Sequence, residues 1–347
     1  MPGASGRGKS LAREEPGSSE TFGERQIWET DAVFLYIMAR RLRYFEPGSL
    51  IEVTTRTLRA FLRLKPNARR RKIVLGVLGR AQEKFDLEIQ LFVFLSNHYH
   101  LLCRPKDPQQ LARAMCFINS NLARKLGGLD GGGGILWGRR YQAIPVSDEP
   151  AAQVARFYYL LSHGCKEGLV FTPGDWPGVH CVHALLDGDP LEGVWHDHSR
   201  EYEARRQGTE TDPEAFATIY RVHLSPLPCW GDLSAAQRRE RVLELIAEIE
   251  TDVQRRRAET GRDPLGVARI QAQHPLSRPV RSKRSPAPLV HAATRAARRA
   301  FLDAYRIFVG AYRHAAEKLR QGDLSARFPD FSFPPAQPFA RPPATYA

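Results

Sequence analysis

Two histidines flank a single residue at the end of an apolar run, Phe94-Leu95-Ser96-Asn97-His98-Tyr99-His100-Leu101-Leu102. A strand sends alternate side chains to opposite faces, so His98 and His100 project side by side while Tyr99 and Leu101 turn the other way. Paired imidazoles on a rigid strand can grip a divalent metal, or bind and polarise a phosphate. The same spacing is met by two ordinary polar residues on the wet face of an antiparallel strand. A second pair stands on the stretch opened by Pro150. There Val154, Phe157, Tyr158, Leu161 and Cys165 form one stripe at the helical period, which is read as the core face. Tyr159 and His163 sit one turn apart on the opposite side, where they can face solvent or an external ligand, including a metal on the strand.

The elements that must position these residues follow from local patterning. Leu50-Ile51-Glu52-Val53-Thr54-Thr55 is alternating and β-branched, which predicts a strand. Val74, Val77, Leu78, Ala81 and Phe85 recur at helical spacing between Arg71 and Phe85. Glu88–Leu95 and His98–Arg104 read as two strands joined in a tight hairpin at Ser96-Asn97. Asp107-Pro108 starts a helix, with Asp as cap and Pro in the first turn. Leu111, Met115, Ile118 and Leu122 form its buried stripe, and Gly127-Gly128 stops it. After a flexible run from Gly131 to Gly134, Ile135–Val146 reads as a strand carrying Trp137, Arg139, Arg140 and Tyr141. A helix then runs from Pro150 to about His163.

This order, β-α-β-β-α-β-α, predicts an α+β fold: a ferredoxin-like split βαβ antiparallel sheet closed by a C-terminal helix, then a mostly helical extension. Beyond Pro173, Ser234–Arg257 predicts a helix with Val242, Ile246, Ile249 and Val253 inward. Gln271–Pro288 is basic and Pro-rich, as a linker would be. Ala292–Arg320 predicts a long helix with Leu302, Tyr305, Val309, Tyr312 and Leu319 on one face. The expected division is a poorly ordered lead (1–48), a principal domain (49–186), a helical extension (187–265), a basic linker (266–291), and a long helix with a Pro-rich tail (292–347).

Lys and Arg outnumber Asp and Glu 51 to 38, a net charge of +13. This balance favours a polyanionic partner, nucleic acid or an anionic membrane surface. The longest apolar stretch, around Ile89–Leu95, is too short to span a bilayer. Five scattered cysteines without a CxxC pair suggest neither a zinc ribbon nor a disulfide framework and fit a reducing cytoplasm. Trp137, Arg139, Arg140 and Tyr141 suit DNA, with arginine on phosphate and rings on unpaired bases. They equally suit a strand with the rings inward and two solvated arginines. His180 with His183, and His196 with His198, read as loop histidines.

Taken in order, the His-apolar-His strand, a helix, Trp137-Gly138-Arg139-Arg140-Tyr141, the Tyr-bearing helix, Lys166-Glu167-Gly168-Leu169-Val170 and Asp175-Trp176-Pro177 resemble the REP-associated tyrosine transposases, single-tyrosine members of the HUH superfamily. The resemblance spans about residues 45 to 180. It implies a metal-dependent enzyme that nicks and rejoins single-stranded or hairpin DNA, works as a homodimer and has no membrane attachment. Tyr159 would be the nucleophile, forming a 5′-phosphotyrosine and freeing a 3′-hydroxyl. His98 and His100 would hold a divalent cation, Mg²⁺ or Mn²⁺ by resemblance. The family places Asn or Gln four residues after the tyrosine, and Pro next; here stand His163 and Gly164. Ser96 stands where the family usually has Pro. A third imidazole suits zinc or another transition metal better than Mg²⁺. The departures leave two readings open: an active site with altered metal preference, or a catalytically inactive protein that keeps the fold and binds DNA hairpins.

Overall fold

Four extended runs form the central sheet: β1 (Leu50–Arg56), β2 (Glu88–Phe94), β3 (His98–Arg104) and β4 (Gln142–Val146). The sheet order is β2-β3-β1-β4, and each neighbouring pair is antiparallel. Thr54 lies opposite His100, and Arg56 opposite His98. Residues directly opposite share a face, so Glu52, Thr54 and Arg56 stand on the histidine side. Tyr99 and Leu101 stand on the other side and are fully buried. The structure is a computed structural model. It describes residues 41–129, 134–209, 212–279 and 287–335, and the sheet and helices all belong to the unit spanning Arg43–Ala347.

The Tyr99 face is covered by α1 (Ala68–Phe85) and α2 (Pro108–Gly127). Asn67 caps α1, its side chain accepting from the Arg70 amide at 2.7 Å, and Asp107 caps α2 in the same way through Gln110 at 2.6 Å. Val74, Val77, Leu78 and Ala81 of α1 and Leu111, Met115, Ile118 and Leu122 of α2 are buried. Each large apolar side chain removed from water contributes roughly 1.5–3 kcal/mol. Tyr99 keeps its hydroxyl satisfied by donating to Asn119 Oδ1 at 2.8 Å.

The histidine face is covered by α3 (Pro150–Leu161) and α4 (His163–Lys166). Beyond them come α5 (Val182–Asp187), a hairpin of β5 (Leu191–His196) and β6 (Ala217–Val222) with α6 (His198–Arg206) between its strands, then α7 (Ala235–Thr260), α8 (Val267–Ala272) and α9 (Arg295–Arg320). Among the described residues no helix is long and apolar enough to cross a membrane.

Several expectations are corrected. The strand expected from Ile135 begins only at Gln142. Gln142 lies opposite Thr54 of β1, Trp137 meets the sheet through one bridge to Thr57, and Arg139 and Arg140 stand exposed on the irregular segment between. Apart from Gly134, the run from Gly131 lies outside the described residues. The poorly ordered lead does not extend to residue 48: Phe45 is buried, and the Tyr44 ring packs against Phe301 and Phe308 of α9 at 5.6 and 4.9 Å. In α7, Leu245 is buried with Val242, Ile249 and Val253, and Ile246 is only half-buried. In α9, Phe308 and Ala315 join Tyr305 and Val309 inside, and Leu302, Tyr312 and Leu319 are half-buried. Of the stretch read as a linker, Val267–Ala272 is helical, and Arg281, Lys283 and Arg284 lie outside the described residues.

The hairpin β5–β6, absent from the sequence reading, rests on α1 through glycines. A Cβ on Gly76 would lie 2.3 Å from the Val194 carbonyl carbon, and one on Gly193 would lie 2.0 Å from the Gly76 nitrogen. Backbone therefore meets backbone here with no room for a methyl group. Gly76→Ala should destabilise the chain by about 1–3 kcal/mol through overpacking. Gly310→Ala, at a helical site with open space, should stabilise it by roughly 0.5–1 kcal/mol. Denaturant midpoints of the two variants check the contrast; a neutral Gly76→Ala would rule out this close packing.

Candidate metal centre and tyrosine site

The helix that carries Tyr159 is covered on both sides, and its phase decides what each side meets. Tyr158 turns away from the sheet and donates to Asp252 Oδ2 of α7 at 2.9 Å. Burial, and then the Asp252 carboxylate, push its phenol up to about 12. Tyr159 turns toward the sheet. Ser162 separates α3 from α4 but keeps right-handed helical angles, φ −77° and ψ −3°. Ser162 donates its amide to Tyr158 O and Lys166 to Ser162 O, so the helical course continues and His163 falls one turn after Tyr159. The face read as free is thus the one that closes over the histidine strand. Gly164 packs against a different segment: a Cβ there would stand 3.2 Å from Val170 Cγ2 and 3.7 Å from Trp176 Cε3.

His98, His100 and His163 form a group of potential metal ligands. All three are buried, at 7, 6 and 3 % exposure, so the strand histidines do not stand on a wet face of the sheet. The His98 and His163 Nε2 atoms are 2.8 Å apart, and the His100 and His163 ring centres 4.5 Å apart. Neighbours select the tautomers. Asn97 donates Nδ2 toward Ala60 O, so its Oδ1, 2.6 Å from His98 Nδ1, is the acceptor. Glu52 Oε1 lies 2.7 Å from His100 Nδ1. Both Nδ1 atoms therefore carry the proton, and both Nε2 atoms present lone pairs. His163 Nδ1 is buried without a hydrogen-bond partner. Converging imidazole lone pairs, backed by an amide and a carboxylate, fit a divalent transition metal.

The Glu52 carboxylate organises the rest of the site. Burial alone would raise its pKa, but hydrogen bonds from His100 and His291 and the charge of Arg156 hold it well below the usual carboxylate range. Arg156 donates Nη2 to Oε1 at 2.9 Å, and His291 Nε2 lies 2.8 Å from Oε2. The Arg156 guanidinium also stands 3.9 Å over the Tyr159 ring, and Lys166 Nζ stands 4.0 Å from the same ring centre. Tyr159 is half-buried, its ring 5.3 Å from that of His163 and 6.2 Å from that of His100. Burial raises its pKa and Arg156 opposes the rise.

Glu52, Arg156, Lys166 and His291 were not singled out from sequence. Glu52 did leave a signal, a charge inside a β-branched run in phase with the histidines. His291 left none, because it reaches the site only where its segment bridges Val146 at the sheet edge.

Trp137, Arg139, Arg140 and Tyr141 do not join the histidines. They line a separate cavity of about 360 Å³ with Thr55 and Asn119. Trp137 donates Nε1 to Asn119 O, Arg43 caps Tyr141, and both rings are half-buried. His180 is buried, its Nδ1 accepting from the Val182 amide. His196 and His198 are not loop residues: one ends β5 and the other opens α6, and they gather with Glu201.

No family model matches this chain, and no curated protein matches it. Among solved structures, a REP-associated tyrosine transposase bound to a REP hairpin is similar at 17% identity, covering 43% of this chain and 86% of that one, with a TM-score of 0.37. A chain from Deinococcus radiodurans R1 assigned as a transposase is similar at 16% identity, covering 35% and 95%, with a TM-score of 0.25.

The histidines make stability depend on pH. Burial, then neighbouring charges, hold His98 and His163 well below the ordinary imidazole value. Unfolding returns them to about 6.5, so below that pH the unfolded chain binds more protons. Their contribution is complete above about pH 6.5 and is lost as pH falls toward their folded values. Glu52, also depressed, adds its own loss only below about pH 4.3. With a chelator present, the denaturant midpoint should fall between about pH 7 and pH 5, and His163→Gln should flatten the fall. An equal slope in the variant would contradict this.

Proposed function

We propose that this chain is a metal-dependent single-stranded DNA endonuclease and strand transferase of the transposase type, with Tyr159 as nucleophile. The observation that carries the reading is convergence. The tyrosine and three imidazoles arrive from β3, α3 and α4 at one buried polar interface, with Arg156 and Lys166 against the tyrosine ring. The strand order β2-β3-β1-β4 supports the ferredoxin-like arrangement.

Tyr159 Oη would attack the scissile phosphorus as the bond to the 3′-oxygen breaks, leaving a 5′-phosphotyrosine and a 3′-hydroxyl; the reverse step rejoins the strand. A tyrosine is mostly protonated at pH 7. Arg156 and Lys166 lower the cost of its phenolate and offer charge to the phosphate oxygens. Arg156 cannot swing away freely, because Glu52 holds it. A divalent ion on His98, His100 and His163 would polarise the phosphate. Trp137, Arg139, Arg140 and Tyr141 would contact DNA outside the cleavage centre. All the residues named for cleavage come from one chain; the homodimer is part of the proposal but supplies none of them.

Labelled single-stranded hairpin DNA from the flanks of the gene tests the reading. Wild type should form a covalent adduct on a denaturing gel, and Tyr159→Phe should form none while still binding DNA. Tyr158→Phe should cleave nearly normally and lose about 1 kcal/mol of stability with its hydrogen bond. An adduct in Tyr159→Phe would overturn the assignment. Hairpin binding by wild type with no adduct under any divalent metal would favour the catalytically inactive reading.

The third imidazole should also set metal choice. Wild type should cleave better with Mn²⁺ or Co²⁺ than with Mg²⁺, and His163→Asn should raise the Mg²⁺ rate relative to Mn²⁺. Equal rates with Mg²⁺ and Mn²⁺ in wild type, unchanged in His163→Ala, would remove His163 from the ligand set.

A further inference from the structure

We infer that His196, His198 and Glu201 form a second metal site, separate from the tyrosine centre, that takes one borderline transition cation such as Zn²⁺ or Co²⁺. His196 is the last residue of β5 and His198 the first of α6, with Asp197 as the helix cap between them. The reversal from strand to helix brings the two rings to the same side, 4.6 Å between centres. Glu201 follows His198 by three residues, so the helical repeat returns its carboxylate beneath them.

The ligand atoms converge at coordination spacing. Glu201 Oε2 lies 3.7 Å from His196 Nδ1 and 3.4 Å from His198 Nδ1. Two ligands at about 2.0–2.1 Å from one tetrahedral ion stand about 3.3 Å apart.

The hydrogen bonding around the group leaves His196 Nδ1 free to act as a ligand, and Glu201 Oε2 and His198 Nδ1 share only a long contact of 3.4 Å that a cation would replace. His196 Nε2 lies 3.1 Å from the Pro213 carbonyl, which only accepts, so the proton sits on Nε2. A metal-bound histidine holds its second nitrogen in this way. His196 Nδ1 is then a lone pair, closed off from water and without a hydrogen-bond partner. It faces a carboxylate oxygen across a gap too long for a hydrogen bond. A buried lone pair facing a carboxylate oxygen favours a cation between them.

Arg205 occupies the other Glu201 oxygen, Oε1, and leaves Oε2 to the imidazoles. The nearby positive groups have their own partners: Lys125 donates to the His196 carbonyl at 2.6 Å, and Asp197 accepts the first amides of α6. Two imidazoles and one carboxylate, with an open side at the exposed His198, form the donor set of a three-ligand zinc site completed by water. Mg²⁺ and Ca²⁺ prefer all-oxygen sets.

Zinc titration of the metal-free full chain against a competing chromophoric chelator tests this, with the stoichiometry read for wild type, His198→Ala and Glu201→Gln. His198 is 68 % exposed, so its removal should leave the far-ultraviolet dichroism unchanged. Each variant should bind one equivalent of Zn²⁺ fewer than wild type, or bind that equivalent at least ~100-fold more weakly. His98→Ala combined with His163→Ala should retain that equivalent, and Co²⁺ should give it a tetrahedral absorption band that His198→Ala abolishes. Unchanged stoichiometry and affinity in both His198→Ala and Glu201→Gln would overturn the site and leave only a protonated histidine–glutamate pair.

Discussion

One buried carboxylate ties the structure to its chemistry. Glu52 sits at 2 % exposure in β1, between the buried Ile51 and Val53. A charge in such a place is costly unless paired and hydrogen-bonded. Here His100 from β3, Arg156 from α3 and His291 from the segment before α9 meet it. Removing one partner of a buried ion pair costs about 3–5 kcal/mol. The carboxylate thereby links strand, helix and distant segment, while it sets the His100 tautomer and fixes the arginine that lies against Tyr159.

That requirement divides the sheet into two unlike faces. The Tyr99 face buries apolar side chains against α1 and α2 and is stabilised by area. The histidine face buries imidazole, amide, carboxylate and guanidinium groups, and is stable only because most of them find partners. His163 Nδ1 is left without a hydrogen-bond partner. The helix above this face needs a second layer to hold it down. α7 supplies it through Asp252, which takes the Tyr158 hydroxyl, and through Arg256, which donates to Lys166 O.

The parts beyond residue 187 belong to the same construction. The Ser225 amide donates to Ile89 O at one edge of the sheet, and at the other His291 exchanges amide hydrogen bonds with Pro145 and Ser147. Both edges are thus covered rather than left as open pairing surfaces. The β5–β6 hairpin reaches α1 at Gly76 and Gly193, and the Trp195 ring stacks on Phe117 of α2 at 5.6 Å.

By itself the sequence determined the local elements and their order. Alternation in Leu50–Thr55, the helical stripes after Arg71 and Asp107, and the Ser96-Asn97 turn act between near neighbours, and the structure keeps them. It also separated Tyr158 from Tyr159, because helical phase alone sends adjacent side chains in different directions. Only the tertiary structure decided what each direction meets. The face of α3 that looked exposed is covered as well, because the sheet closes on it while a long helix from far along the chain covers the side that carries Tyr158. Partners such as His291 for Glu52, or Gly193 for Gly76, lie more than a hundred residues apart, and no periodicity records a contact made by packing. The strand expected through Arg139 and Arg140 is interrupted instead: its pairing with β1 breaks between Gln142, opposite Thr54, and the bridge of Trp137 to Thr57, and no local pattern marks that break.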